Sequence, residues 1–177
     1  MRIQVALCIA ALSCSLFVVG CDDDHDHDGH DPGTEESLSA DEEACEHMTQ
    51  GPFEDVTATA MSTGAPSAAY EHTAVRITLT PDPVDETQYV GYVTYEADDE
   101  TEFVFFLSAD VPFAILDASG SEVELEESEA VSTCDEVAME HVADLSVGSY
   151  TLLFGPTSET QVSLVAEEAS HEGDAPP

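Results

Sequence analysis

The chain has 177 residues, of which 39 are Asp or Glu and only two are Lys or Arg, for a formal charge of −37 at neutral pH. A surface this acidic repels nucleic acid and anionic lipid headgroups, so neither is a fitting partner. With 42% hydrophobic residues one core is within reach, and the excess charge reads as the solvated surface of a protein suited to a saline medium.

At the N-terminus an apolar run follows Arg2 and closes on Val18-Val19-Gly20-Cys21. A basic start, an apolar stretch and a small residue before cysteine read as a secretory signal with a lipidation site. Residues 1–20 are then the signal peptide, and Cys21 takes the lipid that anchors the chain in a membrane. A spanning helix fits less well, because two Cys, two Ser and a Gln interrupt a run shorter than the roughly 20 residues a span needs. By the sorting habit of enteric bacteria Asp22 would hold the protein at the inner membrane, whereas in other lineages the acidic run after Cys21 resembles a surface-export signal. The expected location is therefore the cell envelope, at the outer membrane or surface rather than the inner membrane.

Residues 21–38 are almost free of apolar side chains and read as a disordered, lipidated acidic and His-rich tether. Asp24, Asp26, Asp28, Gly29 and Glu35 match the spacing of a calcium-binding EF-hand loop. The context does not fit, since Asp31 and Pro32 stand inside the loop and no entering helix has room to precede it. His25, His27 and His30 among carboxylates are a compositional signal for capture of Zn²⁺, Cu²⁺ or Ni²⁺.

Residues 39–54 follow as a short helical segment. Ser39 and Glu42 have the spacing of a capping box, acidic residues fill the first turn, and Gly51-Pro52 ends it, which predicts a helix over residues 40–49. Cys45 and Met48 share one face. Cys8 and Cys14 leave with the signal and Cys21 carries lipid, so Cys45 and Cys134 remain as one pair in an oxidising compartment and are expected to form a disulfide. Closing a loop of about ninety residues is worth ~4–5 kcal/mol in the chain-entropy account.

From residue 55 to 168 the period changes to that of strands. Thr73–Thr80 alternates, with Val75, Ile77 and Leu79 on one side. Gln88–Glu96 and Glu102–Ser108 are rich in aromatic and β-branched residues. Pro112–Asp117, Glu122–Leu125, Met139–Leu145, Ser149–Phe154 and Gln161–Glu167 complete the set, with turn residues between them. Eight or nine short strands and one short N-terminal helix predict an all-β fold, an antiparallel β-sandwich or jelly roll, followed by a disordered tail over 169–177.

Two segments, Phe113-Ala-Ile-Leu-Asp-Ala-Ser-Gly120 and Asp144-Leu-Ser-Val-Gly-Ser-Tyr-Thr-Leu-Leu153, resemble the hairpin motifs of bacterial pre-peptidase C-terminal domains, which are jelly-roll-like sandwiches. The resemblance spans about residues 86–167 and implies an auxiliary domain of the kind fused to secreted enzymes. The whole chain, with its acidic linker and Cys-Glu-His-Met segment, resembles uncharacterised lipoproteins of myxobacterial type. That implies a location and a fold, and no activity.

Three histidines fall in the folded part: His47, with Glu43 four residues before it, His72 just ahead of a strand, and His141 inside one. A disulfide that draws residue 134 to residue 45 brings His47 and His141 toward one another, and His72 or a carboxylate would complete a metal site. Arg76, the only base after the signal, is expected to pair with carboxylates across the sheet. The chain has no Gly-x-Ser-x-Gly, no His-Glu-x-x-His and no phosphate loop. The sequence thus reads as a non-enzymatic envelope lipoprotein that binds a protein or polysaccharide partner or serves structure, with no required cofactor. Divalent metal binding through the tether or the folded histidines is the main alternative, and a hydrolase with an unrecognised site the second.

Overall fold

The computed structural model describes residues 38–70 and 72–169. The signal segment, Cys21, the calcium-loop spacing, His25, His27, His30 and the tail beyond Ala169 lie outside the described residues.

The first element is helix α1, Ala40–Gln50. Its capping box forms as the spacing predicts: Ser39 Oγ accepts from the Glu42 amide and Glu42 Oε2 accepts from the Ser39 amide at 3.0 Å. Both orphan donors at the helix start are thereby satisfied. At the other end Gly51 takes φ 77°, a conformation that costs glycine little, and its amide donates to the His47 carbonyl. Among the described residues no helix is long and apolar enough to cross a membrane.

Ten strands follow: β1 Phe53–Thr57, β2 Ala74–Thr78, β3 Thr80–Pro81, β4 Tyr89–Ala97, β5 Thr101–Leu107, β6 Phe113–Leu116, β7 Glu127–Ala130, β8 Met139–Leu145, β9 Gly148–Thr157 and β10 Gln161–Glu168. They form a six-stranded sheet in the order β1-β2-β10-β5-β8-β7 and a four-stranded sheet in the order β3-β4-β9-β6. The expected all-β sandwich is present. One pair departs from the antiparallel expectation, since β1 runs parallel to β2, with Asp55 beside Arg76. The strand expected at Glu122–Leu125 is reduced to a single bridge from Glu122 to Leu116, and the strand forms instead at Glu127–Ala130. That segment is exposed throughout. It is an edge strand with no buried face, so it leaves no alternation to read.

Two cores result. Val75, Ile77, Val93, Phe103, Phe105, Leu107, Ile115, Leu152, Phe154 and Leu164 fill the space between the sheets. On the outer face of the six-stranded sheet, Val104, Phe106, Val142 and Val165 pack against Ala44 and Met48 of α1. Strand β5 is therefore buried on both faces, which accounts for its unbroken apolar run from Phe103 to Leu107. The Cys45–Cys134 disulfide joins α1 to the segment before β8 beside this second core.

Both hairpin motifs have local causes. Asp117 Oδ1 accepts from the Ser119 hydroxyl at 2.6 Å and from the Ser121 and Ser119 amides at 2.9 and 2.8 Å, closing the turn after β6 and holding the Asp117 carboxyl below its ordinary pKa. Tyr150 Oη donates to the Ser146 carbonyl at 2.9 Å and accepts from the Ser146 amide, tying the β8–β9 turn.

Between β1 and β2 the chain crosses to the four-stranded sheet. There Thr59 and Ser67 make single bridges to Tyr92 and Thr94 of β4. The returning segment passes Tyr70 and arrives at His72, two residues ahead of β2.

Candidate metal centre

Helix α1 lies over one end of β10 and β2, and four side chains meet there. Glu43 and His47 are one helical turn apart and so share a face of α1. Glu167 belongs to the outward-facing set of β10, two residues beyond Val165, which packs under the helix. His72 precedes Ala74, whose side chain packs in the same outer core.

The contacts run between nitrogen and oxygen. His47 Nε2 stands 3.7 Å from Glu43 Oε1 and 3.7 Å from Glu167 Oε1. His72 Nδ1 stands 3.2 Å from Glu43 Oε1 and 3.4 Å from Glu167 Oε2. One donor atom from each of the four residues falls within 4.8 Å of the other three. A charge-assisted hydrogen bond between imidazole and carboxylate is about 2.7–2.9 Å long. Donors about 2.0–2.2 Å from a zinc ion stand about 3.3–3.6 Å apart at the corners of a tetrahedron. The observed spacings, 3.2–3.7 Å, are longer than that hydrogen bond and lie around the second figure.

Burial sharpens the case. The side chains of His47 and Glu167 are only 14% and 7% exposed. His47 Nε2 and Glu167 Oε1 are both enclosed without a hydrogen-bond partner among the described residues. Leaving two buried polar atoms unpaired costs about 1–3 kcal/mol each. Burial also pushes the Glu167 carboxyl above its usual pKa, as does the Glu43 charge, while His72 and His47 pull the other way.

The backbone prepares both imidazoles. His47 Nδ1 lies 3.4 Å from the Gly51 carbonyl oxygen. A carbonyl only accepts, so this contact calls for the proton on Nδ1 and leaves Nε2, turned to the carboxylates, as the atom that would ligate a metal, the arrangement that metal-ligating histidines use. His72 has φ 45°, a left-handed backbone that non-glycine residues rarely adopt and that gathers at functional positions. Its side chain is 65% exposed, so burial does not impose that conformation.

His141 does not join this group. In the β5–β8 register it stands opposite Phe105 and shares that residue's inward face, whereas α1 covers the outward one. Its ring stacks on Phe113 with centroids 4.9 Å apart. Its Nδ1 lies 2.8 Å from Ser128 Oγ, and burial lowers its pKa. Among the described residues Nε2 has no hydrogen-bond partner, so no described carboxylate orients the ring as in a nucleophilic triad. Arg76 forms the expected carboxylate pair, two 2.9 Å hydrogen bonds to Asp55, and its guanidinium sits over the Phe53 ring at 4.9 Å.

Sequence reasoning named His47 and His72, and noted Glu43 beside His47, but did not single out Glu167. The available signal was positional: Val165 and Glu167 share a face, and the double-sided apolar run of β5 implies that this face of the sheet is covered.

No family model matches the sequence, and no curated protein matches it. A solved structure described as Lac15 from a marine microbial metagenome is 12% identical, with a TM-score of 0.27, over 68% of this chain and 24% of that one. The chain thus spans about a quarter of that protein's length, and a likeness this slight carries no argument.

Proposed function

We propose that this chain is a cell-envelope lipoprotein, anchored through Cys21, whose β-sandwich binds one divalent transition-metal ion through Glu43, His47, His72 and Glu167. The observation that carries the reading is the buried pair of His47 Nε2 and Glu167 Oε1, 3.7 Å apart with no hydrogen-bond partner among the described residues. Two imidazoles and two carboxylates suit Zn²⁺ first, with Ni²⁺ and Cu²⁺ as competitors. Two carboxylates also neutralise a dication, which removes the cost of burying Glu167 as a lone charge. The tether histidines His25, His27 and His30 would add weaker capture near the anchor.

Zinc content after exhaustive dialysis tests the proposal on a chain carrying His25→Ala, His27→Ala and His30→Ala. One equivalent of Zn²⁺, lost on adding His47→Ala or Glu167→Ala, is the expected result. Zinc that vanishes with the three tether substitutions alone would overturn the folded site.

A further inference from the structure

Resting on that metal-binding reading, we propose that the bound ion takes an additional, exogenous ligand from the cavity beside it, and that this ligand is a small nitrogen donor carrying an ammonium group. Glu43, His72 and Glu167 line a cavity of about 530 Å³, while His47 does not. An ion held by the four residues therefore has His47 behind it and the cavity in front. That volume lies within the range of small-molecule sites. Glu167, only 7% exposed, is among the lining residues, and its Oε2 lies 3.4 Å from Nδ1 of His72, which lines the cavity too.

The wall selects the ligand's charge. Beyond Glu43, His72 and Glu167 it carries Glu96, Asp98, Asp99 and Glu168, with no Lys or Arg among its lining residues. Glu43 and Glu167 are neutralised by the dication, but these four carboxylates are not. They line the same cavity, and charges separated by less than about 8 Å are only partly screened at physiological salt. A phosphate or carboxylate ligand would be repelled, and a cation attracted. The ring of Tyr70, 39% exposed at the cavity wall, adds a face on which an ammonium group can rest. Because an ammonium has no lone pair, the donor must be a second, neutral nitrogen on the same molecule, whose lone pair bonds the ion. Four protein donors close a tetrahedron, so the ion takes this ligand by expanding its shell to five.

The probes are histamine and imidazole-4-acetate, which share an imidazole donor and carry tails of opposite charge. Each is titrated into the full chain bearing the three tether substitutions and loaded with one equivalent of Co²⁺, following the visible cobalt bands and the cobalt retained. Histamine is expected to lower and shift the bands, with cobalt retained, at about tenfold lower concentration than imidazole-4-acetate, and the ratio should shrink in high salt. Asp98→Asn with Asp99→Asn and Glu168→Gln, all at exposed positions, should bring the two probes together. Unchanged bands with cobalt retained, equal responses to the two probes, or cobalt stripped by histamine would each overturn the inference. A chain that takes up no Co²⁺ at the outset would instead refute the metal site on which it rests.

Discussion

His47 Nε2 and Glu167 Oε1 face each other at 3.7 Å across the boundary between helix and sheet, both enclosed and neither hydrogen-bonded among the described residues. The helix and β10 thus meet over a pair of polar atoms that protein contacts alone leave unsatisfied.

Metal-free protein should be stabilised by Glu167→Gln at neutral pH. The Glu167 carboxyl has its pKa raised by folding, so its contribution is fully present below the unfolded value near 4.5 and is lost as pH rises through the folded value. A neutral amide avoids that loss. Thermal unfolding should show the apo variant at least as stable as the apo parent, with the zinc-induced rise in Tm abolished.

Zinc affinity should fall as pH falls. The ligands bind metal only when deprotonated, and the raised pKa of Glu167 brings proton competition in at higher pH than an ordinary carboxylate would. Competition with a chelator of known affinity should show a loss of about tenfold or more between about pH 8 and about pH 5.5.

Cys45→Ser and Cys134→Ser should lower stability by similar amounts, up to about 4–5 kcal/mol. Both should weaken zinc binding too, because α1 supplies Glu43 and His47 and the disulfide fastens α1 between them. Denaturant titration and metal competition on the same variants check the two effects. Equal zinc affinity in all three proteins would mean that the packing of Ala44 and Met48 alone sets the helix in place.

A second pH effect sits at the other end of the helix contact. The pKa of Glu140 on β8 is pushed up to about 7, first by burial and then by the charge of Asp41, with which it shares a hydrogen bond, and by Glu129 and Glu127. Its contribution is present below the unfolded value near 4.5 and is lost as pH rises through about 7. Glu140→Gln should therefore flatten the fall of Tm between about pH 5 and about pH 8.5 and exceed the parent at the upper end.

Much of the fold was legible because its causes are local. Ser39 and Glu42 mark the start of α1, Gly51 marks its end, and the alternation through Val75 and Ile77 marks β2. The site was legible only in part. His47 and His72 stand out as rare residue types, but Glu167 is one acid among 39, and nothing in its own neighbourhood distinguishes it. Its burial depends on a long-range fact, the placement of α1 on the outer sheet face. The same fact excludes His141: a period of two puts it on the inward face with Phe105, while its neighbours Glu140 and Val142 face outward. Bringing Cys134 to Cys45 joins two segments without deciding which face of the following strand looks toward the helix.

The position of the disulfide also determines how the domain bears mechanical load. Tension applied through the segment before Ser39 enters α1 at Ala40 and reaches Cys45 within two turns. From there it divides between the chain and the covalent link to Cys134, 89 residues further on. Glu43 lies ahead of that junction and takes the full pull, whereas His47 lies inside the closed loop with His72, sheltered from it. A tug on the N-terminal side would disturb one carboxylate of the metal centre before it disturbed either imidazole.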